Sequence, residues 1–319
     1  MRFFQHFLIQ CYPHHPLGSE HLWTHEIPCL SQKYDYLMHS ILGYSASQLI
    51  GSDPSLIEPA MAHRLKAIKA VKRALAEAPR ANTFEEGNAL MATCFALTFQ
   101  SVLLDDGMVE YMTFVRGIVI VAIQMYIKGA KLIFGEYLGD APAELLRPHL
   151  EGLKLVEKEW VDAAVRGIKG LEPLCKAEGR EVEGQYWEKL LAMAEKLYVG
   201  AVDAYEALRQ HYTWWMMLPH DHFQRVIDPS NQLGILLATH WISVKSIMAT
   251  ITEMEHKCRT KEPEKQPQTD KHDAWQGIGK WLRYLNRKVD AEHRQYNAWP
   301  FWVEAQLDED AGCFGRTIF

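Results

Sequence analysis

The chain has 319 residues, 48% of them hydrophobic, and a formal charge of −6 from 34 Lys and Arg against 40 Asp and Glu. That balance excludes a disordered chain, and its acidity argues against a surface built to neutralise nucleic-acid phosphates. Six cysteines, Cys11, Cys29, Cys94, Cys175, Cys258 and Cys313, are scattered without a C-x-x-C pair, which argues against a zinc module or a secreted disulfide scaffold and implies a reducing intracellular compartment, cytoplasmic or nuclear.

In chain order, the apolar opening is broken by Gln5 and His6 and is too short for a signal peptide. Helices are predicted at 34–50 and from Pro59 to the stop at Pro79. In the second, Met61, Leu65, Ile68, Val71 and Leu75 form an apolar face and Arg64, Lys66, Lys69, Lys72 and Arg73 a solvated basic one. Further helices are predicted at 85–104, 108–134, 148–168, 185–210, 232–256 and 274–296, the last packing Trp275, Ile278, Trp281, Leu282 and Leu285 on one side. The most apolar run, Gly117 to Ile123, lies between Arg116 and Gln124, so no membrane span is expected. Residues 258–273, polar with two prolines, read as a flexible connector within one domain spanning 1–319. Without hairpin signals the fold class is all-α, a multi-helix array with a hydrophobic C-terminal region.

Catalytic signatures are thin. His220 and His222 share a direction only if their segment is extended, and no framework supplies further ligands, so surface histidines beside a helix start are favoured and no metal is expected. His14-His15 and the i,i+4 pair His21 and His25 are equally isolated. Asp105-Asp106 reads as a turn and helix start, because Val109 stands where a D-D-x-x-D motif needs its third acid. Ser45, after Gly43, lacks the second glycine of a nucleophile elbow, and Cys94 sits in a core-like run. No dinucleotide or P-loop fingerprint occurs, so no cofactor is expected. Large aromatic and Met side chains crowd the last third. They read as core, with the alternative of a lipophile pocket lined by Tyr212, Trp214, Trp215, Met217, His220, His240 and Trp241.

Several segments occur in an order that resembles the regulatory domain of fungal zinc-cluster transcription factors, the sterol-uptake-control group above all. They are Phe3-Phe-Gln-His-Phe7, Trp23, the stretch from Tyr36 to Leu49, Asn88 to Ser101, Tyr111 to Gly117, Asn231 to His240, and Ala298-Trp-Pro300. The resemblance implies an all-helical effector domain which, in sterol-responsive members, holds a sterol in a hydrophobic C-terminal pocket. Trp214 to Leu218 and the helix around His240 and Trp241 would correspond to that pocket. The clustered cysteines of the family's DNA-binding module are missing here, so DNA binding by that route is not expected.

Two jobs are compatible with these features. The chain is read as a stand-alone regulatory domain that binds a sterol or terpenoid, or pairs with a full-length regulator or a second copy, in sterol or secondary metabolism. The alternative is a metal-independent biosynthetic enzyme whose apolar pocket folds a polyene or terpenoid for cyclisation or cycloaddition.

Overall fold

The structure, a computed structural model, describes residues 2–11, 21–77, 84–135, 141–257 and 273–315. Every regular element among them is a helix, as the 3.6-residue periodicity predicts. His14, His15, Cys258 and most of the expected connector lie outside the described residues. Contacts divide the chain into two compact units, Met1–Pro142 with Lys261–Gly277, and Ala143–Thr260 with Ile278–Phe319.

Four helices carry the first unit: α1 (Asp35–Gln48), α2 (Ile57–Glu77), α3 (Phe84–Val102) and α4 (Met108–Ile127). Helix α1 packs on α2 and α3, and α3 packs on α4. Trp23 is buried against Phe7, Phe95 and Phe134. Each such aromatic contributes roughly 1.5–3 kcal/mol by leaving water.

Helix α4 stops at Ile127, short of the predicted Phe134. There Gly129 takes φ +66° and the Ala130 N–H returns to the Met125 carbonyl, a left-handed cap that a side chain would strain. On length and composition alone α4 is long and apolar enough to cross a membrane, a test that the core helix of a globular unit also passes. In this unit Met112, Ile118, Val121 and Met125 are core, while Ile120, Ile123, Tyr126 and Ile127 are exposed.

Helix α2 is turned by less than one residue step from its predicted orientation, so that Val71 stays inward as predicted while its other inward positions shift by one residue. Ala60, Arg64, Ala67 and Val71 face inward, whereas Leu65 is 56% exposed and Met61 and Ile68 are half-buried. The cause is a close helix crossing. A Cβ at Gly43 of α1 would lie 3.2 Å from the Arg64 backbone nitrogen and 3.4 Å from the Ala60 carbonyl oxygen, so only small residues fit beneath. Arg64, expected on the solvated face, is instead 3% exposed. Its guanidinium donates to Gln100 Oε1 (3.1 Å), Ser101 Oγ (2.7 Å) and Glu110 Oε2 (2.5 Å), and packs on the Phe114 ring.

The Asp105-Asp106-Gly107 turn joins α3 to α4 as predicted. A Cβ on Gly107 would stand 1.9 Å from the Ser101 carbonyl oxygen, which belongs to backbone and cannot yield. Gly107→Ala is expected to cost about 1–3 kcal/mol in urea unfolding, as overpacking does. Gly51→Ala, with nothing within 4 Å of the added carbon, is the control expected to leave the midpoint in place.

The second unit is built on α5 (Lys158–Gly170), α6 (Glu181–Lys196), α7 (Ala201–Met217), α8 (His220–Ile227), α9 (Gln232–Ile247), α10 (Asp273–Lys288) and α11 (Ala298–Glu309). Helix α9 is buried almost all round, against α6, α5 and α11. Trp281, Leu282 and Leu285 of α10 are buried as predicted, while the side chains of Trp275 and Ile278 are outside the description. Three predicted long helices are each divided, that at 232–256 into Gln232–Ile247, Ala249–Thr252 and Met254–Lys257. Residues 151–157 separate Ala141–Leu150 from α5, and a turn ending at Gly200 separates α6 from α7. Apolar spacing runs through these last two breaks, so periodicity alone joins what the backbone separates. A buried polar chain locks the C-terminal helices: Thr239 Oγ1 donates to Asn297, Asn297 to Asn286 (both 2.7 Å), and Asn286 to Glu304 (2.5 Å).

Candidate functional site

Four of the seven sequence candidates converge in the second unit. Helix α7 supplies Tyr212, Trp214 and Trp215, and α9 supplies Trp241. Tyr212 lies 5.6 Å from Trp215 and 5.9 Å from Trp241, centroid to centroid. Trp215 stacks on Phe223 of α8 at 6.4 Å. Trp214 Nε1 donates to Gln185 Oε1 at 3.1 Å, and Lys245 donates to the Tyr212 hydroxyl at 2.9 Å.

The group at the centre is one the sequence reading missed, His211. It is fully buried, with Tyr186 at 5.2 Å, Trp241 at 5.4 Å, Trp214 at 6.0 Å and Tyr212 at 6.3 Å. Neither of its ring nitrogens has a hydrogen-bond partner. A neutral imidazole carries one donor and one acceptor, and leaving them dry costs on the order of 1–3 kcal/mol each. Burial, with Lys245 and Lys189 adding to it, pushes the His211 pKa down to about 3, so the ring is neutral at ordinary pH. Aromatic bulk alone picks out Trp214, Trp215 and Trp241 in the sequence. His211 sits one position before Tyr212 and carries no motif, which is why it escaped notice.

The other three candidates fall elsewhere. His240 is buried, but its ring meets Trp299 of α11 at 5.6 Å, not the His211 cluster. Its Nδ1 binds the Leu236 carbonyl at 2.8 Å, its Nε2 has no partner, and burial pushes its pKa down to about 4. Met217, at the end of α7, is 58% exposed, and His220 is exposed at the start of α8. Because the His220-Asp221-His222 segment is helical, its two imidazoles diverge by about 200°. Among the described residues no three His, Cys, Asp or Glu side chains gather at metal-binding distance. Cys94 is buried and its thiol is pushed up to about 12 by burial, and Ser45 donates to the Phe3 carbonyl inside a helix; neither is presented as a nucleophile.

A cleft of about 560 Å³ with mixed walls also opens in this unit, lined by Arg180, Arg225, Asn231 and His293 and by the apolar Leu174 and Leu233. Beside it Glu183 is buried and accepts hydrogen bonds from Arg225 (2.7 Å) and Asn231 (3.0 Å). Burial raises its pKa, but these donors and its own backbone N–H outweigh burial and hold the carboxyl below the usual range. That arrangement joins α6, α8 and the start of α9, and it suits a lipophile less well than the aromatic cluster does.

Comparison with known proteins finds a partial likeness. Over 110 residues, 34% of this chain, the sequence is 29% identical to Sterol uptake control protein 2 of Saccharomyces cerevisiae. The matched stretch is 12% of that protein, so the chain spans far less than two thirds of the relative it matches. No family model matches the chain, and no solved structure matches it. The likeness is to the same sterol-uptake-control group that the ordered segments of the sequence resemble, and it fits a transcription-factor-like regulator at that coarse level.

Proposed function

We propose that the chain is a regulatory domain of the sterol-uptake-control kind that responds to a lipophilic small molecule, a sterol or terpenoid, and acts through a partner regulator. The observation that carries the regulatory reading is the 110-residue likeness to Sterol uptake control protein 2. The ligand component rests on His211, a buried imidazole with no protein hydrogen-bond partner, ringed by Tyr186, Tyr212, Trp214 and Trp241. A lipophile with one hydroxyl would satisfy that ring while its hydrocarbon body replaces aromatic contacts. Binding there requires the cluster to part, so ligand affinity is reduced by the cost of opening.

Thermal shift and native mass spectrometry with cholesterol and with farnesol test this reading. At about 100-fold excess over Kd the ligand adds roughly 2.7 kcal/mol, several degrees in the melting midpoint. His211→Leu and Trp241→Ala are expected to abolish the shift. If neither lipophile shifts the midpoint, or if the shift survives His211→Leu, the site is wrong.

A further inference from the structure

Helix α2 buries its small side and leaves its large apolar side out. Ile57 and Leu65 are 52% and 56% exposed, and Met61 and Ile68 between and beyond them are half-buried. These four recur at steps of four, four and three, one continuous stripe on a helix. The inward side is already filled: Ala60, Ala67 and Val71 are buried, and the backbone of Ala60–Arg64 lies against Gly43. The stripe therefore cannot turn into its own core without separating α1 from α2.

The charge beside the stripe is one-sided. Lys66, Lys69, Lys72 and Arg73 are all exposed; at about 100° per residue Lys66, Lys69 and Arg73 fall on the flank away from α1, and Lys72 ends the stripe one turn beyond Ile68. No acidic residue occurs from Pro59 to Ala76, in a chain whose net charge is −6. A second copy would bring this basic flank against its own like charges, relieved by Glu58 alone among the described side chains of α2. An acidic partner complements it throughout.

We infer that the outer face of α2 is a docking surface for an amphipathic helix of another protein, one whose apolar stripe is bordered by Asp and Glu. The partner's apolar side chains lie along Ile57, Met61, Leu65 and Ile68, and its carboxylates meet Lys69, Lys72 and their neighbours. This is the helix-in-groove manner of recognition, with charge setting orientation and encounter rate. The inference is independent of any lipophile bound in the second unit.

The test uses the full chain and two labelled helical peptides of roughly 20 residues (about six turns), identical in their leucine stripe but flanked by Glu in one and Lys in the other. Fluorescence anisotropy is expected to show binding of the Glu-flanked peptide only. Leu65→Gln and, separately, the pair Lys69→Glu with Lys72→Glu should each weaken it by about tenfold or more, and the charge pair should admit the Lys-flanked peptide. The melting midpoint should hold in both variants. Equal binding of the two peptides, or none, overturns the inference. So does a dimer in sedimentation velocity that Leu65→Gln dissolves, cosedimentation with phosphatidylserine vesicles in place of peptide binding, or unfolding on Leu65→Gln, which would make Leu65 core.

Discussion

Arg64→Ala is expected to lower the stability of the first unit by about 3 kcal/mol, measured as a shift of the urea midpoint at constant slope. The guanidinium is buried and satisfies three acceptors on α3 and α4 at once, Gln100, Ser101 and Glu110. Removing it leaves Gln100 and Ser101 with buried oxygens short of a donor and opens a cavity beside Phe114. Glu110→Gln should be far milder, at about 1 kcal/mol or less, because that carboxylate is 44% exposed and water takes over its role. If the two variants fall equally, Arg64 is held by its ion pair and not by the buried network.

Acid should destabilise the second unit strongly, through two histidines. Burial holds His211 and His240 well below the ordinary histidine value of 6.5, at about 3 and about 4. Between those values and 6.5 the unfolded chain binds protons that the native state refuses. Their contribution is thus complete above about pH 6.5 and is lost as pH falls toward the folded values. From about pH 7 to about pH 5, each costs on the order of 2 kcal/mol. His211→Leu should halve that loss and, by deleting a dry donor and acceptor, raise stability at neutral pH by about 1–2 kcal/mol. His39 and His63 of the first unit shift in the same direction, through partial burial and Lys66, so both units weaken in acid. The slope of chemical-denaturation stability against pH, for the parent and for His211→Leu, decides the matter. A slope that His211→Leu leaves unchanged would show that His211 is protonated and solvated in the native protein.

Much of the fold was legible in the sequence because apolar periodicity marks helices wherever the buried residues are large. The buried side of α10 and the core position of Cys94 follow from that rule. Helix α2 shows where it breaks. Hydrophobicity points Leu65 and Ile68 inward, but helices that cross this closely select for small volume: Ala60 lies against Gly43, and Ala67 is buried on the same side of α2. The same crossing carries Arg64 into the interior, where a charge-based reading had placed it in water. In the second unit, Tyr212, Trp214, Trp215 and Trp241, grouped in the sequence by aromatic bulk, do lie near one another. Bulk did not separate His240 from them, because successive residues on a helix point about 100° apart, and of the two only Trp241 looks toward His211. His211 itself was invisible because its distinction lies in the hydrogen bonds it fails to make.

The crossing at Gly43 also has a mechanical meaning. Most packed helices are separated by a layer of side chains whose rotamers yield, so a push on one is partly dissipated before it reaches the next. Here backbone stands almost against backbone, and Gln100 of α3 bears on the same spot, 3.3 Å from where a Gly43 Cβ would be. Ser47 of α1 receives a hydrogen bond from that glutamine at 2.9 Å. With no side-chain layer between α1 and α2 at this point, little relative movement of the two helices is expected, which slow amide exchange along both would show.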